Sequence, residues 1–85
     1  MANLPNENSA TIRWPAVSAL TGFKSKSHVE RLVKKELFPQ SIKFGPRAKG
    51  WREFEIHEWN QAKALGFTDF QIEALVKRQV KDREL

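Results

Sequence analysis

Residues 17–34, Val17-Ser-Ala-Leu-Thr-Gly22-Phe-Lys-Ser25-Lys-Ser-His-Val29-Glu-Arg31-Leu-Val-Lys34, decide the fold. Gly22 closes a short apolar segment, since glycine adopts the left-handed backbone that terminates helices. Three residues later Ser25 supplies an N-cap, its hydroxyl accepting from a backbone N–H two or three residues on. Beyond the cap, Val29, Leu32 and Val33 recur at helical spacing and form one apolar stripe. Ser27, Glu30, Arg31 and Lys34 then fall on the opposite side, at about 100° per residue. A helix, a tight glycine-containing turn and a second amphipathic helix make a helix-turn-helix pattern.

Upstream, the polar, proline-containing residues 1–10 read as a flexible arm. Thr11 to Trp14 reads as a brief strand, and Pro15 as the first position of a helix, where its missing N–H costs nothing. Ala16, Val17, Ala19 and Leu20 are expected to make that first helix short and mostly buried. Downstream, Phe38-Pro39 stops the second helix, because a residue before proline is forced toward extended geometry. Ile42-Lys43-Phe44 alternates like a half-buried strand. The loop Gly45-Pro-Arg-Ala-Lys-Gly50 turns the chain, and Trp51 is expected to begin the return. Two short antiparallel strands with a basic tip between them form a wing. A further helix is expected from about Glu53 to Leu65, burying Ile56 and Trp59, with Glu53 and Glu55 complementing its dipole. Thr68 and Gln71 form a capping box for a last helix, Phe67 is placed to staple onto Ile72, and Ile72, Leu75, Val76 and Val80 form its stripe. The fold class implied is mainly α with a small β-hairpin: a winged helix-turn-helix over residues 11–65, plus a C-terminal helix over 66–85.

Eighty-five residues suffice for one domain and not for two. With no cysteine, neither a disulfide framework nor a thiolate metal site is available. No apolar run approaches the roughly 20 residues of a membrane span, and the first residues lack the features of a signal peptide. The expectation is a cytoplasmic protein, associated with the nucleoid when bound to DNA, and no membrane partner. The net charge of +5 is unevenly spread. Lys24 to Arg52 holds nine basic and two acidic residues, so the remainder is slightly acidic. That is the footprint of a polyanion-binding face, although an ordinary solvated surface would read similarly.

From Thr11 to Ala62 the order of signals resembles the AlpA family of small prophage and genomic-island regulators and excisionase-like proteins. The residues that carry the resemblance are Val17-Ser-Ala-Leu-Thr-Gly22, Ser25-Lys-Ser27, Arg31-Leu-Val-Lys-Lys35, Phe38-Pro39, and Trp51-Arg-Glu-Phe-Glu-Ile56 with Trp59. The resemblance implies a fold related to mercury-resistance regulators, and a role in transcription control or in directing excision of a mobile element. The chain departs from the family's pattern in three places. The turn after Gly22 is one residue longer, Glu30 stands where an aromatic is common, and Glu36-Leu37 replaces a frequent glycine-containing pair. The C-terminal helix lies outside the resemblance.

A recognition helix presents its first side chains to the major groove, whose base edges are distinguishable. The candidates for this contact are Ser25, Lys26, Ser27, His28 and Arg31; Arg31 can hold guanine bidentately, or sit in a surface ion pair. Lys34 and Lys35 suit phosphates. On the wing, Lys43, Arg47, Lys49 and Arg52 suit the minor groove or the backbone, unless the tip is charged only for solubility. Glu30 near a groove either accepts from cytosine or faces away. Trp51, Trp59, Phe38 and Phe44 fit core positions better than stacking platforms for single strands. His28 and His57 lie on separate elements and make no metal site, no cofactor is implied, and no motif of catalysis surrounds the polar residues. The partner expected is double-stranded DNA. A site-specific integrase and self-association on DNA are further possibilities through the C-terminal helix, which either packs on the domain or makes the protein an interaction adaptor.

Overall fold

In the computed structural model, residues 10–83 are described; the proposed N-terminal arm therefore lies, but for its last residue, outside the described residues. The elements are β1 (Thr11–Ile12), α1 (Trp14–Thr21), α2 (Lys26–Lys34), β2 (Ile42–Lys43), β3 (Lys49–Arg52), α3 (Glu53–Ala64) and α4 (Asp69–Asp82). Among the described residues the protein is mainly helical, with four helices and one small antiparallel sheet of order β1-β3-β2. The arrangement is compatible with a small DNA-binding fold of the helix-turn-helix type.

The local signals around residues 17–34 work as their chemistry requires. Gly22 has φ +84° and its N–H donates to Ser18 O at 2.8 Å. Ser25 Oγ accepts from His28 N at 3.1 Å and opens α2. The longer turn between them is filled by Phe23. Its carbonyl accepts from Ser18 Oγ (2.6 Å), and its ring meets those of Phe38 and Trp59 with centroids 6.0 and 5.7 Å away. Pro15 occupies the second position of α1, not the first, because the helix already begins at Trp14. The expectation of a mostly buried α1 needs correcting. Only Val17 is fully buried; Trp14 and Ala16 are partly buried, and Ala19 and Leu20 are exposed, because a helix at the surface buries one face and leaves the other to solvent.

The return strand starts two residues before Trp51, and its pairing runs Ile42 to Gly50 and Lys43 to Lys49 on one side. On the other side β1 pairs as Thr11 to Arg52 and Ile12 to Trp51, adding a third strand to the hairpin. Gly50 permits this close approach, because a Cβ there would lie 2.5 Å from Ile12 O. Phe44 falls outside β2 and is 48% exposed.

The core joins Val17 of α1, Val29 of α2, Phe38, Trp51 of β3, Ile56 and Trp59 of α3, and Ile72 and Val76 of α4. Phe38 lies at its centre, edge-on to both Trp51 (6.3 Å) and Trp59 (4.9 Å), an arrangement worth about 0.5–1.5 kcal/mol per pair beyond area burial. Each indole N–H has a partner: Trp51 Nε1 donates to Pro39 O at 2.9 Å, and Trp59 Nε1 to Leu37 O at 3.0 Å. These rings are therefore structural, and three of the four aromatics weighed as stacking platforms are enclosed.

The capping box of α4 forms in both directions, Gln71 N to Thr68 Oγ1 and Thr68 N to Gln71 Oε1. The buried stripe of α4 is shifted from the expected one: Gln79 is 2% exposed, whereas Val80 is 38% exposed. Gln79 can be buried because its amide donates to Glu55 O (3.2 Å) and Glu58 Oε1 (3.0 Å). Glu55, expected to complement the α3 dipole, is itself 1% exposed and paired with Arg83.

Candidate nucleic-acid interface

The cationic side chains singled out along the sequence come from α2 and from the β2–β3 hairpin, and the fold brings several of them to one place. Lys26 at the start of α2, Arg47 at the hairpin tip and Lys49 on β3 line one open cleft of about 310 Å³, floored by Trp14, Pro15 and Trp51. Arg13, between β1 and α1, lines the same cleft. Sequence reading missed it, because Arg13 lies outside the basic stretch counted from Lys24. No local signal in the sequence marks it: the pairing of Thr11–Ile12 with the strand containing Trp51 carries the following residue to the hairpin's base.

The other candidates divide. Ser25 is occupied as the cap of α2. Ser27 and Arg31 are exposed on the outer face of α2, and among the described residues Arg31 has no ion-pair partner. His28 packs its ring edge-on against Phe23, 5.2 Å between centroids, so much of its surface is taken up by the turn. Lys34 borders a second, smaller cleft with Glu30, Ser41 and Lys49. Lys35 is the C-cap of α2 and exposed. Lys43 is exposed on β2. Arg52 lays its guanidinium over the Phe54 ring at 5.3 Å, a stacking that orders it at the foot of the hairpin.

Glu30 faces the hairpin: its carboxylate lies 3.4 Å from Lys49 Nζ, with both side chains partly exposed. The acid that stood awkwardly in α2 thus links it to β3. His57 is placed 3.3 Å from Glu53 on α3, away from His28 on α2.

On the other side of the molecule the charges pair among themselves. Arg83 Nε donates to Glu55 Oε2 at 3.0 Å, and its Nη2 donates to Gln40 O at 2.6 Å. Arg78 bridges Glu58 and Asp82, each at 3.0 Å, and its hydrogen bond with Glu58 raises its pKa. Between α3 and α4 lies an apolar groove bordered by Leu65, Phe67, Phe70 and Leu75. Leu65 and Phe70 are 71% and 80% exposed. Among the described residues, no helix is long and apolar enough to cross a membrane.

A small mainly helical fold with cations gathered on α2 and a β-hairpin is compatible with the class of small helix-turn-helix-type DNA-binding proteins. Residues 10–64 match the family model described as prophage CP4-57 regulatory protein (AlpA), and this covers well over half of the chain. The chain belongs to the AlpA family, a family of regulatory proteins. No curated protein and no solved structure matches it.

Proposed function

We propose that the protein binds duplex DNA sequence-specifically as a winged helix-turn-helix, with α2 as recognition helix and the β2–β3 hairpin as wing. In this reading it serves a prophage or genomic island in the cytoplasm, without catalysis, as a transcriptional regulator, as an excisionase directing recombination, or as both. The observation that carries it is the open cationic face. Lys26, Arg31 and Arg47 stand without acidic partners among the described residues, on the elements that would meet the groove and backbone. Their repulsion is relieved when an anion neutralises them.

In this reading Arg31 reads a base, while Lys34, Lys35, Lys43, Arg47 and Arg52 meet phosphates. A fluorescence titration with duplexes from the surrounding mobile element, at two salt concentrations, tests it. Arg31→Ala is expected to cost about 1–3 kcal/mol on the preferred duplex and to flatten sequence preference. Arg47→Ala weakens all duplexes alike and lowers the salt slope by about 1. Absence of duplex binding by the wild-type protein at low salt overturns the reading. An integrase gene beside this one favours excision over general transcription.

A second reading, contact with another copy on DNA or with an integrase, is favoured by the exposure of Leu65 and Phe70 at the α3–α4 groove. Sedimentation of the protein with and without duplex, compared with Phe70→Glu, separates it from simple packing. Loss of cooperative binding in the variant, with unchanged affinity for a single site, is the outcome it requires.

A further inference from the structure

Among the described residues, the four cations of the cleft come from three separate places in the chain: Arg13 after β1, Lys26 opening α2, and Arg47 and Lys49 in the wing. Only Lys49 has an acidic partner, Glu30. Gathering like charges is unfavourable unless something negative is received there. The cleft is also rigid. Trp51 is 1% exposed and pinned through its ring N–H to Pro39 O, and it faces Ile12 across the β1–β3 pair. Arg13 is held by stacking, its guanidinium carbon 5.5 Å from the Phe44 ring centroid. A guanidinium ordered beforehand loses little freedom on gripping an oxyanion.

We propose that this cleft is a phosphodiester site, holding one backbone phosphate of the duplex where it passes from recognition helix to wing, with Arg13 as a ligand that locks the register of the two. The inference rests on the duplex-binding reading above and adds to it a specific seat and a residue outside the helix and wing. Arg13 contacts no base in this arrangement, so it contributes affinity and positioning without sequence information. Its neighbour Gly50 matters for the same reason. Any side chain there pushes against β1, which carries Arg13 to the cleft.

The test uses the full-length chain and two probes, a random-sequence duplex and inorganic phosphate. Arg13→Ala is expected to lower the slope of log affinity against log salt by about 1 on the random duplex. It should leave the ranking of duplex sequences unchanged, and Arg13→Lys should restore the slope. Phosphate is expected to compete with duplex for the wild-type protein more strongly than sulfate-free chloride at equal ionic strength, and to lose that advantage in Arg13→Ala. Lys81→Ala, on exposed α4 surface, serves as the charge control and should change neither reading. If Arg13→Ala matches the control while Arg47→Ala still weakens binding, the phosphate seat is overturned and the duplex reading stands. If wild type binds no duplex at low salt, both fall. Matching thermal melts for wild type and Arg13→Ala ensure that the comparison is between folded proteins.

Discussion

Arg83 and Arg47 carry the same guanidinium and are used in opposite ways. Arg83 is 19% exposed, donates to both Glu55 oxygens and to Gln40 O, and ties the end of α4 to α3 and to the segment before β2. Arg47 stands at the wing tip, exposed and without an acidic partner among the described residues. Around α3 and α4 many of the charges pair with one another, buried in Arg83–Glu55 and at the surface in Arg78–Glu58–Asp82 and Lys77–Glu73. The wing side leaves most of its charges open. Net charge alone does not find a binding face; the cations that matter are those the fold has not already neutralised.

The largest effect expected from this division is on stability, at Arg83. Arg83→Ala leaves the Glu55 carboxylate, 1% exposed, buried without its charge partner. Breaking a buried pair in this way costs about 3–5 kcal/mol. That is a large share of what a domain of this size holds, at roughly 0.05–0.15 kcal/mol per residue. Chemical denaturation followed by circular dichroism checks it, and a cost under about 1 kcal/mol would show that the pair contributes no more than a surface contact. Adding Glu55→Gln to Arg83→Ala removes the stranded charge and should recover part of the loss. At a temperature where the variants remain folded, duplex affinity should be unchanged, because none of these groups lies on the open face.

Glu30 crosses the division, an acid set among the open cations. Glu30→Gln releases Lys49 and removes a negative charge from the face proposed to meet phosphate. Duplex affinity is expected to rise by about 1 kcal/mol at low salt, with a salt slope steeper by about 1. Stability should hardly move, since an exposed pair of this kind contributes about 0–1 kcal/mol. Weaker binding in Glu30→Gln would mean that the carboxylate positions Lys49 for its contact, and the two halves would then differ less than the pairing pattern suggests.

The features legible in the sequence are those whose cause is local. Gly22, the Ser25 cap and the Thr68–Gln71 capping box each depend on residues within a turn of one another, so their chemistry can be read from spacing. The AlpA resemblance was legible for a similar reason, through short motifs in fixed order. Arg13 and the Glu55–Arg83 pair were not legible, because their partners are set by tertiary contacts, 28 residues apart for Glu55 and Arg83 and 13 to 36 for Arg13 and the other cations of its cleft. Gln79 misled in another way. Its amide N–H group finds two acceptors, Glu55 O and Glu58 Oε1, which brings Gln79 inside although its Oε1 has no partner there; hydrophobic periodicity placed Val80 inside and the structure turned it out. The outer face of α1 has the same lesson in reverse: Ala19 and Leu20 are apolar, yet both lie on the exposed side of the helix.

The smallest effect concerns the turn that joins the two sides. Glu36 takes φ +60°, a left-handed backbone unusual for a residue with a side chain, where the family resemblance favours a glycine-containing pair. That conformation costs a non-glycine residue about 1–2 kcal/mol. Glycine adopts it freely but loses about 0.5–1 kcal/mol in added freedom of the unfolded chain. The side chain gives little back. Its carboxylate lies 3.9 Å from Lys77 Nζ, both groups are about half exposed, and Lys77 keeps Glu73 at 3.3 Å in any case. Glu36→Gly is therefore expected to stabilise the protein by about 0.5–1 kcal/mol, net of these effects. Glu36→Ala, which removes the charge and keeps the backbone demand, should be neutral or slightly destabilised. The difference between the two variants isolates the backbone. If glycine and alanine melt together, the turn is not strained and the departure from the family pattern has no energetic cost.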